Sequence, residues 1–224
     1  MTSQVERDFD RIALLPDDPW DHNRHYHDLL LRELPPSCGR ALEIGCGTGE
    51  FSRLLAARSR QVLAIDLSPN MIRLARDRSR GFANLEFRVA DAESLELPRE
   101  GFDCVASIAT LHHLETAATL ARWREALAPG GVLLVLDLFR PSRLRDLGAS
   151  AVAFPLNVLV RLAKTGRLRP HPQLRCAWEA HGRHDSYPSL GEVRSLCAAL
   201  LPGARVRQHL FWRYSIVWRK KAIS

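Results

Sequence analysis

The stretch ALEIGCGTGE, residues 41–50, leads from a short apolar run into a turn with three glycines. An apolar run that ends in such a turn is typical of a buried strand that passes into a helix. Gly45, Gly47 and Gly49 alternate along the turn, and a glutamate stands on either side of them. Because glycine-rich turns at a helix N-terminus usually cradle phosphate groups, the flanking carboxylates are unexpected.

Apolar runs continue to alternate with helical periodicity beyond this stretch. Ser68 and Pro69 mark the start of one helix, because serine is a good N-cap and proline suits the first helical turn. Nearly continuous apolar strands separated by helices indicate a parallel sheet covered on both faces. We therefore predict an α/β, doubly wound fold. Strands are predicted at residues 40–46, 61–67, 85–91, 102–111 and 132–138, and helices at 50–58, 69–79 and 115–127.

The sequence predicts four segments within one domain. The last segment contains two closing strands, which are predicted to pair as an antiparallel hairpin and to complete a mostly parallel, seven-stranded sheet. Their junction, predicted near Trp212–Tyr214, carries no strong turn signal. The segments are an N-terminal helical cap (1–38), the core (39–139), a helical insert or lid after the fifth strand (140–187) and a C-terminal helix with the closing strands (188–224).

Composition and cysteine content exclude several classes of protein. With 46% apolar and 25% charged residues the chain is an ordinary globular protein, and its charged first residues predict no secretory signal. The longest apolar run, residues 147–163, is interrupted by Pro155, Asn157 and Arg161, so no membrane span is predicted. This run is equally suited to a dimer face or a membrane-surface contact, which leaves a homodimer open. Five scattered cysteines without a C-x-x-C pair argue against a disulfide framework and for the reducing cytoplasm.

The net charge of +7 is compatible with nucleic-acid binding. The basic residues, however, are almost all arginines, and no run of them exceeds three. We attribute the charge to an arginine-biased composition and expect no nucleic-acid partner.

The glycine turn also differs from a dinucleotide-binding turn. Such a turn needs a third glycine where this sequence has Glu50, and a carboxylate there would repel a bound pyrophosphate. Glu43 adds a second negative charge on the preceding strand. The turn is therefore suited to a ligand that lacks phosphates, and a positively charged ligand fits it better.

S-adenosylmethionine meets this requirement, because it carries an ammonium and a sulfonium group but no phosphate. The segment EIGCGTG resembles the first motif of class I S-adenosylmethionine-dependent methyltransferases. The resemblance covers about Arg40–Leu138 and includes Asp66 at the end of the second strand, Asp91–Ala92 at the end of the third, FDCVASIATLHHL and LAPGGVLLVLDL. It implies a Rossmann-like core with S-adenosylmethionine as cofactor, in which Asp66 accepts the ribose hydroxyls and Asp91–Ala92 contacts the adenine.

The residues expected at the cofactor lie along these motifs. Met71 suits a contact with the adenine or a place in the core, and Cys46 suits a small loop filler with backbone contacts. The expected set is Glu43, Gly45, Cys46, Gly47, Gly49, Asp66, Leu67, Met71, Asp91, Ala92, Ile108 and His113.

Methyl transfer from a sulfonium requires mainly that the acceptor atom is held in line, and a base is needed only if the acceptor must lose a proton. His112 and His113 follow the fourth strand, and Asp137 lies near the end of the fifth, so all three are expected at one edge of the sheet. Resemblance to sugar and natural-product O-methyltransferases implies that His112 is the base and that Asp137 assists it. The alternative is that a histidine here only lines the cofactor pocket, and His113 is expected near the methionine part.

The acceptor is expected to contact the segments outside the core. Aromatic and polar residues of the cap and the insert suit a small-molecule pocket, and the residues expected there are His25, Tyr26, His184 and Tyr187. No metal site is predicted, because the histidines are not accompanied by cysteines or paired carboxylates at ligand spacing.

The sequence therefore predicts an S-adenosylmethionine-dependent methyltransferase that acts on an oxygen or nitrogen of a small-molecule acceptor, such as a natural product. An RNA or protein methyltransferase is the alternative. The charge favours it, but the fourth strand ends in SIATLHH and not in the N/D-P-P-Y/F segment typical of amino-group methylases. A nicotinamide oxidoreductase is disfavoured by Glu50, and a non-catalytic cofactor-binding regulator is left open.

Overall fold

A computed structural model describes residues 3–16, 18, 21–141, 157–169, 171–183 and 185–222. The described residues contain one sheet of seven strands in the order β3-β2-β1-β4-β5-β7-β6. The first five strands are mutually parallel, and β7 pairs antiparallel with both β5 and β6. This architecture confirms the predicted doubly wound, mostly parallel sheet with its closing hairpin. The strands are β1 (Cys38–Ile44), β2 (Ser59–Asp66), β3 (Leu85–Val89), β4 (Phe102–Ile108), β5 (Leu127–Leu138), β6 (Arg205–Gln208) and β7 (Arg213–Arg219).

The helices of the core begin and end close to the predicted positions. Ser68 accepts a hydrogen bond from the backbone N–H of Met71, as expected of an N-cap. Two 3₁₀ turns, Arg24–Tyr26 and Leu111–His113, lie outside the regular helices. The helices are α1 (Gln4–Ile12), α2 (His27–Leu31), α3 (Glu50–Ala56), α4 (Pro69–Arg78), α5 (Thr116–Ala126), α6 (residues 157–165), α7 (Pro172–His181) and α8 (Leu190–Leu200).

Alternate residues of the central strands pack on opposite faces of the sheet. Leu42 and Ile44 of β1 belong to a buried cluster that includes Trp123 of α5. Ala41, the residue before Leu42, packs on the opposite face of the sheet, in a second cluster with Phe51 of α3. Because both faces are covered, the central strands have apolar residues at successive positions.

The start of β5 differs from the prediction. The sequence indicated a turn at residues 129–131 before the fifth strand, but β5 begins at Leu127, directly after α5. The register with β4 shifts between Phe102 and Cys104, and Gly130 has a φ of +81°. A bulge therefore accommodates this segment within the strand, where glycine tolerates the left-handed conformation.

The hairpin between β6 and β7 turns without a glycine. Phe211 and Trp212 have φ values of +58° and +57°, and the backbone N–H of His209 donates to the carbonyl of Arg213 at 2.8 Å. Bulky residues rarely adopt this conformation, which explains why the sequence offered no turn signal.

The cap and the insert meet over the carboxyl edge of the sheet. Helix α1 packs against α7 of the insert and also against α4 of the core. Residues 142–156, which include most of the apolar run, and the predicted acceptor residue His184 lie outside the described residues. Among the described helices, none has the length and apolar content that crossing a membrane requires.

Candidate active site

The glycine turn after β1 adopts the backbone conformation that its three glycines permit. Gly45, Gly47 and Gly49 all have positive φ, at +74°, +52° and +75°. A Cβ atom at Gly45 would lie 1.9 Å from Oγ1 of Thr110, and one at Gly49 would lie 2.7 Å from the Phe87 ring. A Cβ atom at Gly47 would meet nothing within 4 Å. Gly45 and Gly49 are thus required by packing, because a side chain at either position would clash. Gly47 instead leaves space above the turn for close approach of a ligand.

Two carboxylates at the ends of neighbouring strands hold this turn in place. Asp66 accepts hydrogen bonds from the backbone N–H groups of Gly47 at 2.8 Å and Ser68 at 2.9 Å. Glu43 is buried below the turn and accepts from the Ser52 hydroxyl at 2.5 Å. Burial raises the pKa of Glu43 to about 8 and raises the pKa of Asp66 above its ordinary value. A cationic ligand would offset this cost, because it favours the charged carboxylates.

Glu50 contributes less negative charge than the sequence suggested. Its carboxylate forms a two-pronged ion pair with Arg24, at 2.5 Å to Nε and 2.6 Å to Nη2. The objection to a phosphate ligand therefore depends on Asp66 rather than on Glu50, because the raised pKa of Glu43, about 8, keeps that side chain mostly protonated near pH 7.

The other predicted cofactor residues differ in their surroundings. Asp91 is exposed and accepts from the backbone N–H of Glu93 at 2.9 Å, while Ala92 is half-buried beside it. Leu67 and Ile108 are half-buried at the ends of β2 and β4. Cys46 is buried, and burial raises the pKa of its thiol well above the ordinary value, in keeping with the loop-filler interpretation.

Met71 lies in a small apolar cluster with Ile12 of α1 and with Leu174 and Ala177 of α7. The sequence left two interpretations of Met71 open, a contact with the adenine or a place in the core, and this cluster is a core environment. The cluster joins the cap and the insert to the start of α4.

His112 and Asp137 form the dyad that the sequence predicted at the ends of β4 and β5. Nδ1 of His112 lies 2.6 Å from Oδ1 of Asp137, and the backbone N–H of His112 donates to Oδ2 at 2.8 Å. Both side chains are almost fully buried, at 4% and 0% exposure. Two contacts to one carboxylate fix the imidazole and leave Nε2 directed away from Asp137.

The insert supplies a second carboxylate close to this dyad. Nε2 of His112 lies 4.0 Å from Oδ2 of Asp185, and Nδ1 of His113 lies 3.5 Å from Oδ1. The Tyr187 hydroxyl donates to Asp185 at 2.7 Å, and its ring lies 5.0 Å from that of His112. Burial, followed by the repulsion that a protonated His112 would exert, lowers the pKa of His113 to about 4, so this imidazole is neutral near pH 7. The predicted acceptor residue Tyr187 is thus beside the predicted base.

Helix α1 covers both halves of the site. Asp10 accepts hydrogen bonds from the Ser68 hydroxyl and from the backbone N–H of Asn70, the latter at 3.0 Å. One residue earlier, the Phe9 ring lies 5.8 Å from His113 and 4.8 Å from His181. Neither contact was predicted, because nothing in the sequence of α1 indicates which elements it packs against.

The predicted acceptor residues of the cap lie beside the hairpin turn. The hydroxyl of Tyr26 donates to the carbonyl of Leu210 at 2.8 Å, and burial raises its pKa to about 12. His25 is exposed and packs edge-on against Tyr26 and Phe211. Arg213, which the sequence did not single out, is buried and donates to Asn23 at 2.8 Å.

The sheet, the glycine turn and the two carboxylates together define a class I S-adenosylmethionine-dependent methyltransferase. Residues 42–135 match the family described as a methyltransferase domain. An uncharacterised methyltransferase of Mycobacterium bovis is 36% identical over 209 residues, which cover 91% of this chain and 98% of that protein. The chain belongs to this methyltransferase family.

Two further proteins are similar to the chain, one over part of its length and one over nearly all of it. The ubiquinone/menaquinone biosynthesis C-methyltransferase UbiE of Pseudomonas putida is 40% identical over 114 residues, which cover 47% of this chain and 44% of that enzyme. The crystal structure of the N-methyltransferase NodS from Bradyrhizobium japonicum, in complex with S-adenosyl-L-homocysteine, superposes with a TM-score of 0.66. It is 20% identical and covers 97% of this chain and 99% of NodS, which shows a shared fold.

The residues present fit S-adenosylmethionine, the cofactor of this family. The open backbone at Gly47 admits a ligand closely, the carboxylate of Asp66 favours a cation over a phosphate, and a bound cation would favour the ionised form of the buried Glu43. The cofactor prediction is therefore confirmed, whereas the role of each individual residue stays a prediction.

Proposed function

We propose that this methyltransferase acts on an oxygen or nitrogen atom of a small-molecule acceptor, with His112 as the general base. The observation that carries the proposal is the enclosed dyad at the carboxyl edge of the sheet. His112, Asp137 and Asp185 have side-chain exposures of 4%, 0% and 6%; Asp185 and Tyr187 of the insert lie against His112, and Phe9 of the cap packs against the neighbouring His113. An enclosed site of this kind suits a compact acceptor better than an extended polymer.

The proposed mechanism assigns one task to each part of the site. When bound, S-adenosylmethionine supplies a methyl group that its positively charged sulfur has already activated. Asp66 and the turn around Gly47 hold the nucleoside, and the insert around Tyr187 holds the acceptor. The acceptor's oxygen or nitrogen bonds to the methyl carbon while the bond from that carbon to sulfur breaks. Nε2 of His112 takes the proton that the acceptor atom loses. Asp137 keeps the proton of the neutral imidazole on Nδ1 and stabilises the imidazolium that forms.

Replacement of the base tests this mechanism. We predict that His112→Ala lowers kcat by about 100-fold or more, because proton removal is lost, while donor affinity stays within about twofold. His171→Ala is the matched control, since His171 is exposed at the start of α7. Turnover and calorimetric donor binding are measured for both variants. Full activity of His112→Ala at every pH would remove His112 as the base.

The acceptor class is tested with radiolabelled methyl donor against a panel of phenols, sugars, amines and quinols, together with RNA and protein. One relative named above supports a small acceptor, since by name it acts in quinone biosynthesis, although that enzyme is a C-methyltransferase and so does not support the choice of oxygen or nitrogen. Label in a phenol, sugar or amine supports the proposal. Label confined to carbon, RNA or protein would contradict it.

We also infer that the protein works in the cytoplasm. All five cysteines are free thiols, and four of them are buried, which suits a reducing compartment. Fractionation of the native host checks this inference.

A further inference from the structure

Three imidazole nitrogens surround the carboxylate of Asp185 at distances too long for good hydrogen bonds. Nδ1 of His113 lies 3.5 Å from Oδ1, while Nε2 of His181 and Nε2 of His112 lie 3.6 Å and 4.0 Å from Oδ2. Hydrogen bonds between nitrogen and oxygen are usually about 2.7–3.2 Å long. Ligand atoms around one tetrahedral metal ion, at bonds of about 2.0–2.2 Å, are about 3.3–3.6 Å apart. The 3.5 Å spacing of His113 and the 3.6 Å spacing of His181 match those of ligands that share an ion, while the 4.0 Å spacing of His112 is longer.

Of the two histidines in the ligand set proposed below, His112 is oriented as a metal ligand usually is; His181 is oriented in the same way but lies outside that set. Nδ1 of His112 contacts Asp137 at 2.6 Å, and Nδ1 of His181 contacts Asp8 at 3.2 Å. A carboxylate on the far nitrogen of a ligating imidazole fixes its tautomer and makes the near nitrogen a better donor. In both cases the near nitrogen, Nε2, is the one that faces Asp185.

We propose that His112, His113 and Asp185 bind a divalent first-row transition metal ion such as Zn²⁺. One potential ligand atom from each of the three lies within 4.8 Å of the other two. All three side chains are at least nine-tenths buried, and the Tyr187 hydroxyl fixes Asp185 at 2.7 Å. Three protein ligands leave a coordination position for water or for an acceptor atom.

The donor set indicates the kind of metal. Two imidazoles and one carboxylate suit Zn²⁺, Co²⁺, Fe²⁺ or Mn²⁺, whereas Mg²⁺ and Ca²⁺ prefer oxygen ligands alone. No metal site was predicted from ligand spacing along the chain, and this site has no such spacing, because its ligands come from the end of β4 and from the insert. Only the fold brings them together.

The site overlaps the proposed base, which gives metal binding a consequence for turnover. The lone pair of His112 Nε2 either accepts the acceptor's proton or binds the metal, and it cannot do both. If His112 is the base, Zn²⁺ therefore inhibits methyl transfer and a chelator restores it. This effect on turnover rests on the proposed function, whereas the metal site itself does not.

A titration of the chelator-treated full chain with Co²⁺ tests the site directly. We expect visible d–d absorption of tetrahedral or five-coordinate Co²⁺ at a stoichiometry of one, and we expect Zn²⁺ to displace the Co²⁺. His113→Gln and Asp185→Asn should each weaken Co²⁺ binding at least tenfold. His171→Ala should bind as the wild type does, because this exposed histidine of α7 lies outside the cluster. Circular dichroism and thermal unfolding establish that each variant is folded.

The outcomes separate this inference from the proposed function. Absence of the d–d bands in the wild type, or equal Co²⁺ binding by folded His113→Gln and Asp185→Asn, overturns the metal site and leaves methyl transfer untouched. Specific binding accompanied by inhibition supports both the site and the base. Specific binding that instead raises turnover supports the site and removes His112 as the base.

Discussion

Asp66 links the glycine turn to the start of α4, because its carboxylate accepts backbone N–H groups from both. We predict that Asp66→Ala weakens binding of S-adenosylmethionine at least tenfold, which corresponds to about 1.4 kcal/mol or more. The variant loses the proposed ribose acceptor and also two hydrogen bonds that shape the turn. Isothermal titration calorimetry measures the change, with the exposed Asp77→Ala on α4 as control. Unchanged affinity would refute the ribose role.

Glu43 makes stability depend on pH. Its pKa is raised by burial from 4.5 to about 8, so the folded state binds a proton that the unfolded state releases between these values. The stability contributed by the protonated group is complete below about pH 4.5 and is lost as pH rises through 8. We predict that Glu43→Gln, which keeps an acceptor for Ser52, removes this loss.

Thermal unfolding of the cofactor-free protein checks this prediction. Between about pH 6 and pH 9 the Tm of the wild type should fall by about 4 °C more than that of Glu43→Gln, equivalent to roughly 1–2 kcal/mol. Parallel pH profiles for the two proteins would show that Glu43 does not titrate in this range.

At the scale of elements, α1 connects the cap to the cofactor side of the site. Asp10 accepts from Ser68 and Asn70 at the N-terminus of α4, where a carboxylate is favoured by the unpaired N–H groups and the helix dipole. We predict that Asp10→Ala lowers the Tm by about 2–4 °C, for a loss of about 1 kcal/mol. Donor affinity should also fall about threefold or more, because the backbone N–H of Ser68 donates to the carboxylate of Asp66 at 2.9 Å.

Asp10→Asn provides the matched comparison, since the amide keeps an oxygen acceptor but not the charge. It should recover part of the lost stability and donor affinity in differential scanning fluorimetry and calorimetry. If Asp10→Ala binds the donor as the wild type does, α1 does not support the cofactor side of the site.

At the scale of the whole molecule, the net charge of +7 predicts weak attraction to polyanions without specificity. We expect binding to bulk RNA at about 50 mM salt and its loss by about 200 mM, because each phosphate contact releases counterions. No methyl label should enter the RNA under either condition. Filter binding and scintillation counting measure both quantities. Salt-resistant binding with methylation of RNA would favour the alternative of an RNA methyltransferase.

Most of the fold followed from local patterns. The strand and helix that flank the glycine turn were predicted within a few residues, because apolar periodicity and N-cap chemistry act over short distances. The predicted start of β5 was wrong, since a bulge at Gly130 depends on pairing with β4 rather than on the local sequence. The hairpin turn at Phe211 and Trp212 also gave no signal in the sequence, because its strained backbone is stabilised by the surrounding structure.

The amino-acid sequence alone determined the parallel sheet, the glycine turn and the positions of Asp66, His112 and Asp137 at the ends of strands. These follow because parallel strands deliver their carboxyl ends to a common edge. The tertiary structure alone decided that Asp185 of the insert reaches the two histidines and that Phe9 of α1 packs against His113. Contacts between elements far apart in the chain depend on how complementary surfaces pack, and no local pattern encodes that choice.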